Sequence, residues 1–406
     1  MSTLTDLIAY GGQKVIRRCY VKRRETGDTI ESSWARVDNY NGRDRVLNWG
    51  SVTLDCDTKP GQPGNFTISN CSLTFDNTSG FWNIETDLNS YWNGYLTRKY
   101  SLIKITSCYV DNDGTETSEV TEFEGVISKV RTTEQEKAFV SSTSYGSILQ
   151  AYDISDLSLS GEDTIDNTVT DILNQAKIAK FFSSYSVNAS NNIDISTGDL
   201  TGTYWEVLRK LAFLSSSVIV IAGDTIDFKA RTIGGVSVWN FRGAGCPGEN
   251  DIYQVTQYDP EGADDVRLTW ASKDGATTAT STNATYLAKY LGAPQQIDLD
   301  LVASADKASC LSAQLTRWET PKPKIEFTTK FLSDQIALLD RINIRIYGRL
   351  YPRDGTGAYY DQASYGDGPV YFGEAGGVKV SGDWGVVRIK KDFQSWKYTI
   401  KAEKVV

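Results

Sequence analysis

From Ser33 to Ile105 short apolar runs alternate with turn signals, the period-two pattern of strands. The runs are Arg45 to Leu54, Asn65 to Phe75, Trp82 to Ile84 and Lys99 to Ile105. Between them stand Asn41-Gly42, Pro60-Gly61, Pro63-Gly64 and Asn93-Gly94, pairs that tolerate positive φ or preset a bend. Strands from Lys99 to Val110, Val120 to Val130 and Lys137 to Leu149 complete a compact antiparallel unit. Asp111-Asn112-Asp113-Gly114 reads as a hairpin turn and not a calcium loop. With Gly114 at the sixth position, Tyr109 and Val120 stand where carboxylates are required.

The period then changes. Val169, Ile172, Leu173 and Ala176 fall at helical spacing within Thr168 to Ala179, with Asp166 and Asn167 as caps. Thr203-Tyr204-Trp205-Glu206 is a capping box that opens a helix from Trp205 to Leu214. Val218 to Ile221 and Thr225 to Phe228 form a strand pair across Gly223-Asp224, so residues 156–232 read as a small α+β domain inserted between β regions 1–155 and 233–406. The last region carries strands at Val236 to Phe241, Ile252 to Tyr258, Val266 to Ala271, Gln296 to Leu301, Lys324 to Phe331, Asp340 to Tyr347, Trp384 to Lys390 and Ser395 to Val405. One helix, capped by Ser304, places Ala308, Leu311, Leu315 and Trp318 on one face before Pro321 and Pro323 stop it.

The end of the chain echoes the end of the first β unit. Tyr100 to Ile105, Phe123 to Val130 and Lys137 to Val140 are matched in order by Asp340 to Ile346, Asp383 to Lys390 and Trp396 to Ile400. Each copy sets an aromatic and a Gly (Phe123 and Gly125, Trp384 and Gly385) at the entrance of an alternating strand, which predicts two related barrels.

The chain resembles the baseplate hub family of phage tails, related to the hub part of VgrG-type secretion-system spikes. The resemblance is carried, in order, by Leu73-Thr74-Phe75-Asp76-Asn77, Phe123-Glu124-Gly125-Val126-Ile127, Thr168 to Leu173, Gly202 to Ala212, Gln314 to Trp318 and Leu339 to Ile342, from about Val52 to the C-terminus. It implies a mainly β chain with a small α+β domain and two tail-tube-like antiparallel β barrels. It further implies a homotrimer whose six barrels match a sixfold tube, joined to the tail tube or a distal tail protein and to a central spike or fibre. The expected place is the virion tail tip, after assembly in the host cytoplasm, with DNA passing through without sequence-specific binding.

Composition narrows the chemistry. The 406 residues carry a formal net charge of −9, against a large phosphate-neutralising face. No apolar stretch approaches the length that crosses a bilayer, so membrane insertion is not expected. Histidine is absent, which removes imidazole as base, nucleophile partner and metal ligand. Cys19, Cys56, Cys71, Cys108, Cys246 and Cys310 lack CxxC spacing and read mostly as buried thiols. Neither a metal nor a cofactor is expected. Gly243-Ala244-Gly245-Cys246-Pro247-Gly248 fits GxGxxG, but a strand pattern follows where a dinucleotide site needs a helix. Asp259, Glu261, Asp264 and Asp265 cluster without the spacing or sugar platform of a glycosidase. A structural, non-enzymatic role leads, ahead of a receptor- or carbohydrate-binding module and a wall-degrading glycosidase.

Two aromatic segments are the candidate contact surfaces. Tyr91-Trp92-Asn93-Gly94-Tyr95 reads as subunit packing. The stretch Tyr351 to Gly377 is far longer than its counterpart Asp111 to Glu119 and reads as a partner-binding loop, with Tyr351, Tyr359, Tyr360, Tyr365, Tyr371 and Phe372 as contact residues.

Overall fold

The computed structural model describes residues 14–25, 29–40, 42–58, 66, 68–110, 113–159, 161–243, 252–261, 269–272, 278–280, 295–318, 322–330, 336–346, 380–395 and 397–405. The first region holds β1 (Lys14–Arg24), β2 (Ala35–Arg36), β3 (Asn39–Tyr40), β4 (Arg43–Asp44), β5 (Val46–Asn48), β6 (Ser51–Asp55), β7 (Asn70–Asp76), β8 (Thr97–Val110), β9 (Val120–Thr132) and β10 (Lys137–Ser144). The middle holds α1 (Gly146–Leu149), β11 (Glu162–Thr164), α2 (Ile165–Leu173), α3 (Ala176–Ala179), β12 (Ser184–Asn188), β13 (Asp194–Ser196), α4 (Tyr204–Leu214), β14 (Ser217–Ala222) and β15 (Thr225–Ala230). The last holds β16 (Ser237–Arg242), β17 (Ile252–Glu261), β18 (Thr269–Ser272), β19 (Thr278–Thr280), β20 (Gln295–Ile297), α5 (Lys307–Trp318), β21 (Lys322–Lys330), β22 (Arg341–Ile346), β23 (Val380–Asp392) and β24 (Lys397–Lys404).

Two sheets dominate. The first is ordered β2-β1-β8-β9-β10-β7-β5, and the second β16-β22-β23-β24-β21-β17 with β6 added beside β23. Within them β7 to β10 and β21 to β24 follow one plan: four consecutive strands, all antiparallel to their neighbours, in the spatial order second, third, fourth, first. The echo in sequence is therefore a repeated topology. Each copy also bulges its long third strand, leaving Ser128 of β9 and Val387 of β23 without a partner residue in the adjacent strand. The copies differ at the flank, where β1 runs antiparallel to β8 but β16 runs parallel to β22.

Alternation decides which face is buried. Along β10 buried Ala138, Val140 and Ser142 alternate with more exposed neighbours. Val21, Phe75, Ile105 and Val140 of the first sheet meet Phe327, Ile344, Trp384 and Ile400 of the second in one core. The sheets thus bury their apolar faces against each other.

Arg45 to Leu54, read as one strand, is split between the sheets. β5 pairs with β7 in the first, whereas Ser51 to Asp55 pair with Asp392 to Arg388 in the second. The break is Gly50, at φ 68°, where an added Cβ would lie 2.2 Å from the Ser72 carbonyl oxygen. Only glycine accommodates both constraints.

Trp82 to Ile84 is not a strand. Residues 77–96 wind through successive turns, with Asn77 Oδ1 accepting from the Trp82 amide at 2.7 Å. Trp82 and Trp92 are fully buried with ring centroids 4.7 Å apart, and Trp92 Nε1 donates to Ser101 Oγ at 3.1 Å. The run is apolar because it fills the core between turns, so apolarity without an extended backbone misled the pattern.

In the α+β unit the Thr203–Glu206 capping box forms as predicted, and β14 and β15 turn at Gly223. The single helix expected over Thr168 to Ala179 is two, α2 and α3, separated at Asn174 and Gln175. Its cap is Thr164, whose hydroxyl accepts from the Asn167 amide, and not Asp166 or Asn167. α5 starts at Lys307, three residues beyond Ser304, and its buried line is Cys310, Leu311, Gln314 and Leu315, with Ala308 exposed. Leu299, Leu301, Leu311 and Leu315 share the core of this unit, as do Val126 and Val387 beside the two bulges.

Gly50→Ala should destabilise the chain by about 3 kcal/mol or more, since strain at positive φ adds to a backbone clash. Gly94→Ala, at φ 82° but with nothing within 4 Å of the added Cβ, should cost only about 1 kcal/mol. Urea unfolding of both variants checks the difference, and equal losses would remove the crossover argument.

Candidate functional site: matching sheet faces and the charges that join them

Strand β6 and the residues after it carry acids into the second sheet. Asp57 Oδ1 accepts from Lys324 Nζ at 2.6 Å and its Oδ2 from Lys401 Nζ at 2.7 Å, with Asp57 and Lys324 both buried. Burial alone would raise the Asp57 carboxyl, but the two ammonium groups win and hold it at about 2. Asp55 Oδ2 accepts from Arg388 Nη2 at 2.7 Å. Burial still raises the Asp55 carboxyl, because it is far more buried than its guanidinium partner. Beside this cluster the buried pair Arg231 and Glu403 meet at 2.8 Å. Arg317 donates to Thr58, and its pKa is lowered to about 9 by burial and by neighbouring Arg231. The hook formed by β6 is therefore clasped by charges on β21, β23 and β24.

A second buried link joins the sheets directly. Glu122 of β9 accepts from Lys391 Nζ of β23 at 2.7 Å, from Ser107 Oγ of β8 at 2.5 Å and from Tyr398 OH of β24 at 3.3 Å. Arg17 of β1 lies 5.3 Å from the Phe393 ring centroid, and burial lowers its pKa to about 10. A carboxylate with three donors is well satisfied in the interior, so this contact fixes the relative placement of the sheets.

The opposite faces are polar and open. On the first sheet the cross-strand rows are Lys129–Ser141–Ser72 and Arg131–Phe139–Thr74, which line a hollow of about 300 Å³. On the second the rows at the same position of the repeat are Lys390–Thr399–Thr328 and Arg388–Lys401–Glu326. With Thr53 and Asp55 of β6 and Gln254 and Thr256 of β17, this face forms a wider hollow of about 540 Å³. The repeat thus places a basic pair at corresponding points of its long third strand.

The sequence-predicted residues fare unequally. Tyr351, Tyr359, Tyr360, Tyr365, Tyr371 and Phe372 lie outside the described residues, as do Gly245 to Gly248, Asp264 and Asp265. In the segment Tyr91 to Tyr95, expected as a surface for subunit packing, Asn93 and Gly94 are exposed while the aromatic rings are buried or half-buried. Trp92 is fully buried, Tyr91 stacks on Phe81 at 4.6 Å, and the Arg23 guanidinium lies 3.8 Å from the Tyr95 ring centroid. These aromatics found intrachain partners first. The five described cysteines are buried and outside any disulfide, and burial pushes Cys56, Cys71 and Cys310 up to about 12. No signal in the sequence marked Asp57 with Lys324, because pairing between segments 267 residues apart is invisible to local spacing.

Two sheets built on a shared four-strand plan, backed by an α+β unit, define a mainly β, tail-tube-like fold. Solved phage tail proteins share it across nearly the whole chain. A tail protein from Neisseria meningitidis MC58 superposes with a TM-score of 0.52 at 12% identity, covering 96% of each chain. Prophage tail protein gp18 from Listeria monocytogenes EGD-e gives 0.51 at 11% identity, covering 96% of this chain and 94% of that one. The 43 kDa tail protein of prophage MuSo2 from Shewanella oneidensis gives 0.50 at 10% identity, covering 95% and 98%. At such identities the likeness is one of fold. No protein-family model matches the sequence, and no curated protein matches it.

The Asp57 carboxyl, ordinarily near 3.8, lies lower in the folded chain, so its contribution is complete above about pH 4 and is lost as pH falls toward 2. Asp57→Asn should therefore lower stability near neutrality by ~2 kcal/mol or more and flatten the acid limb between pH 4 and 2. Denaturant midpoints measured across that range test it, and an unchanged acid limb would refute the assignment.

Proposed function

We propose that the chain is a structural subunit of a phage tail tip, a hub in which three copies form a pseudo-sixfold ring between the tail tube and a distal spike or fibre. The observation that carries the reading is the repeated four-strand plan of β7 to β10 and β21 to β24 in a fold shared with tail proteins. Two such units per chain give six in a trimer, which matches a sixfold tube without six identical subunits. In this reading 1–155 and 233–406 each supply one unit, and 156–232 lies between them with α5 against its core. The polar sheet faces then border the passage for DNA, and the role is assembly and not catalysis. A carbohydrate-binding surface at Tyr91 to Tyr95 is disfavoured by the burial of Trp92.

Averaged density of particles containing this protein should show it at threefold symmetry, with two tube-like units per copy around the axis. Sixfold or monomeric placement would defeat the proposal.

The stretch Tyr351 to Gly377 joins β22 to β23 at the position that Asp111 to Glu119 occupies between β8 and β9. We assign it to contact with the neighbouring tail protein. Shortening it to a Gly-containing turn should leave the thermal unfolding of the chain nearly unchanged and reduce its incorporation into tails. Normal incorporation and infectivity would exclude that role.

A further inference from the structure

We propose that the open face of the first sheet centred on Lys129 and Arg131 binds the phosphodiester backbone of nucleic acid, weakly and without sequence preference. This gives chemical content to the passage described above and rests on that reading for its biological place. The contact itself is a property of the isolated chain, so the two can fail separately.

Lys129 and Arg131 are exposed, and neither forms an ion pair among the described residues. The Arg131 guanidinium lies 4.7 Å from the Phe139 ring centroid, which holds it over the sheet instead of leaving it to sweep solvent. The described residues lining this hollow include no carboxylate, and the hydroxyls of Ser72, Thr74 and Ser141 share its floor.

The second copy of the repeat is the internal control. Arg388 and Lys390 occupy the corresponding positions, but there Arg388 is bound to Asp55 and adjacent Lys401 to Asp57, and Glu326 lines the same hollow. The position shared by Lys129 and Arg388 therefore carries uncompensated charge in the first sheet and compensated charge in the second, while Lys390, like Arg131, has no ion pair among the described residues. On a chain of net charge −9, these two cations stand together over a concave polar face that holds no carboxylate among its described lining residues.

The chemistry selects the ligand. Cations two residues apart on a strand are separated by about 7 Å, close to the spacing of successive phosphates along a polynucleotide. Lysine and arginine supply charge, and the hydroxyls supply neutral donors to phosphate oxygens. No Asn or Gln stands among the described lining residues to read base edges, so no sequence preference follows. A protein partner would call for a packed apolar anchor, whereas here a single half-buried ring is already covered by Arg131. Contact with two phosphates gives modest, salt-sensitive affinity, which allows a duplex to slide.

The test is fluorescence anisotropy of a random-sequence DNA duplex titrated with the purified full-length chain across a salt series. The unmodified protein should bind with a log–log salt slope of about −2, from ~0.9 per phosphate neutralised. K129A/R131A should weaken binding at least tenfold and bring the slope near zero, while K129R/R131K should retain both. K180A, which removes an exposed cation of the α+β unit, should leave the slope unchanged. Thermal unfolding of each variant verifies the fold. Absence of salt-sensitive binding by the unmodified chain, or full binding by K129A/R131A, would overturn the proposal. So would competition by polyglutamate as effective as by DNA, which would point to an acidic polypeptide. A threefold ring in particle density together with no DNA binding would sink this inference alone.

Discussion

The passage of one short strand from sheet to sheet is the constraint on which the rest depends. At Gly50 the chain leaves the edge of the first sheet, and β6 completes the flank of β23 in the second before β7 returns. The strand is clasped by Lys324, Lys401 and Arg388 acting on Asp57 and Asp55, and Lys391 with Glu122 repeats the logic between the sheets themselves. Buried ion pairs add little net stability compared with apolar packing, but leaving one partner alone is costly, so they discriminate strongly against any other arrangement of the strands. Two sheets that could slide over a shared apolar core are thereby held in one register.

The two copies of the strand plan share their topology and differ at their margins. The second copy is flanked by β6 and the long β17, which widen its open face, and Asp55 of β6 pairs with Arg388. The first ends at the short β5, and its basic pair stays uncovered. In both copies the bulge lies at the same part of the long strand, next to Val126 in one and at Val387 in the other, residues that enter the core of the α+β unit. A bulge increases local twist, so each sheet bends where that unit packs against it.

What could be read from the sequence was local. The Thr203–Glu206 capping box, the Gly223-Asp224 turn and the alternation of β10 and β24 state their structure within a few residues, and the order of short motifs carried the repeat. Arg45 to Leu54 failed because alternation continues through Gly50 while the partner changes, and Trp82 to Ile84 failed because burial among turns mimics a strand. The charged clasp was illegible for a plainer reason: Asp57 and Lys324 are 267 residues apart, and nothing near either announces the other. The uncovered basic pair was in view as two residues of a strand, but its meaning came only from comparison with the second sheet.

The distance of that clasp also orders events during synthesis. Asp55 meets Arg388 across 333 residues, so β6 is made early and its place exists only when nearly the whole chain has emerged. Contacts of such sequence separation form late, because loop-closure entropy must be met before they reward it. In the folded chain β6 finds its pairing only on β23, whose residues are made more than 300 positions later. A chain broken off before β23 would keep an open strand and two acids without their cations, a state suited to recognition by chaperones and proteases. Completion of the polypeptide is thus coupled to completion of the fold, and a prematurely terminated copy lacks the structure with which to enter an assembly.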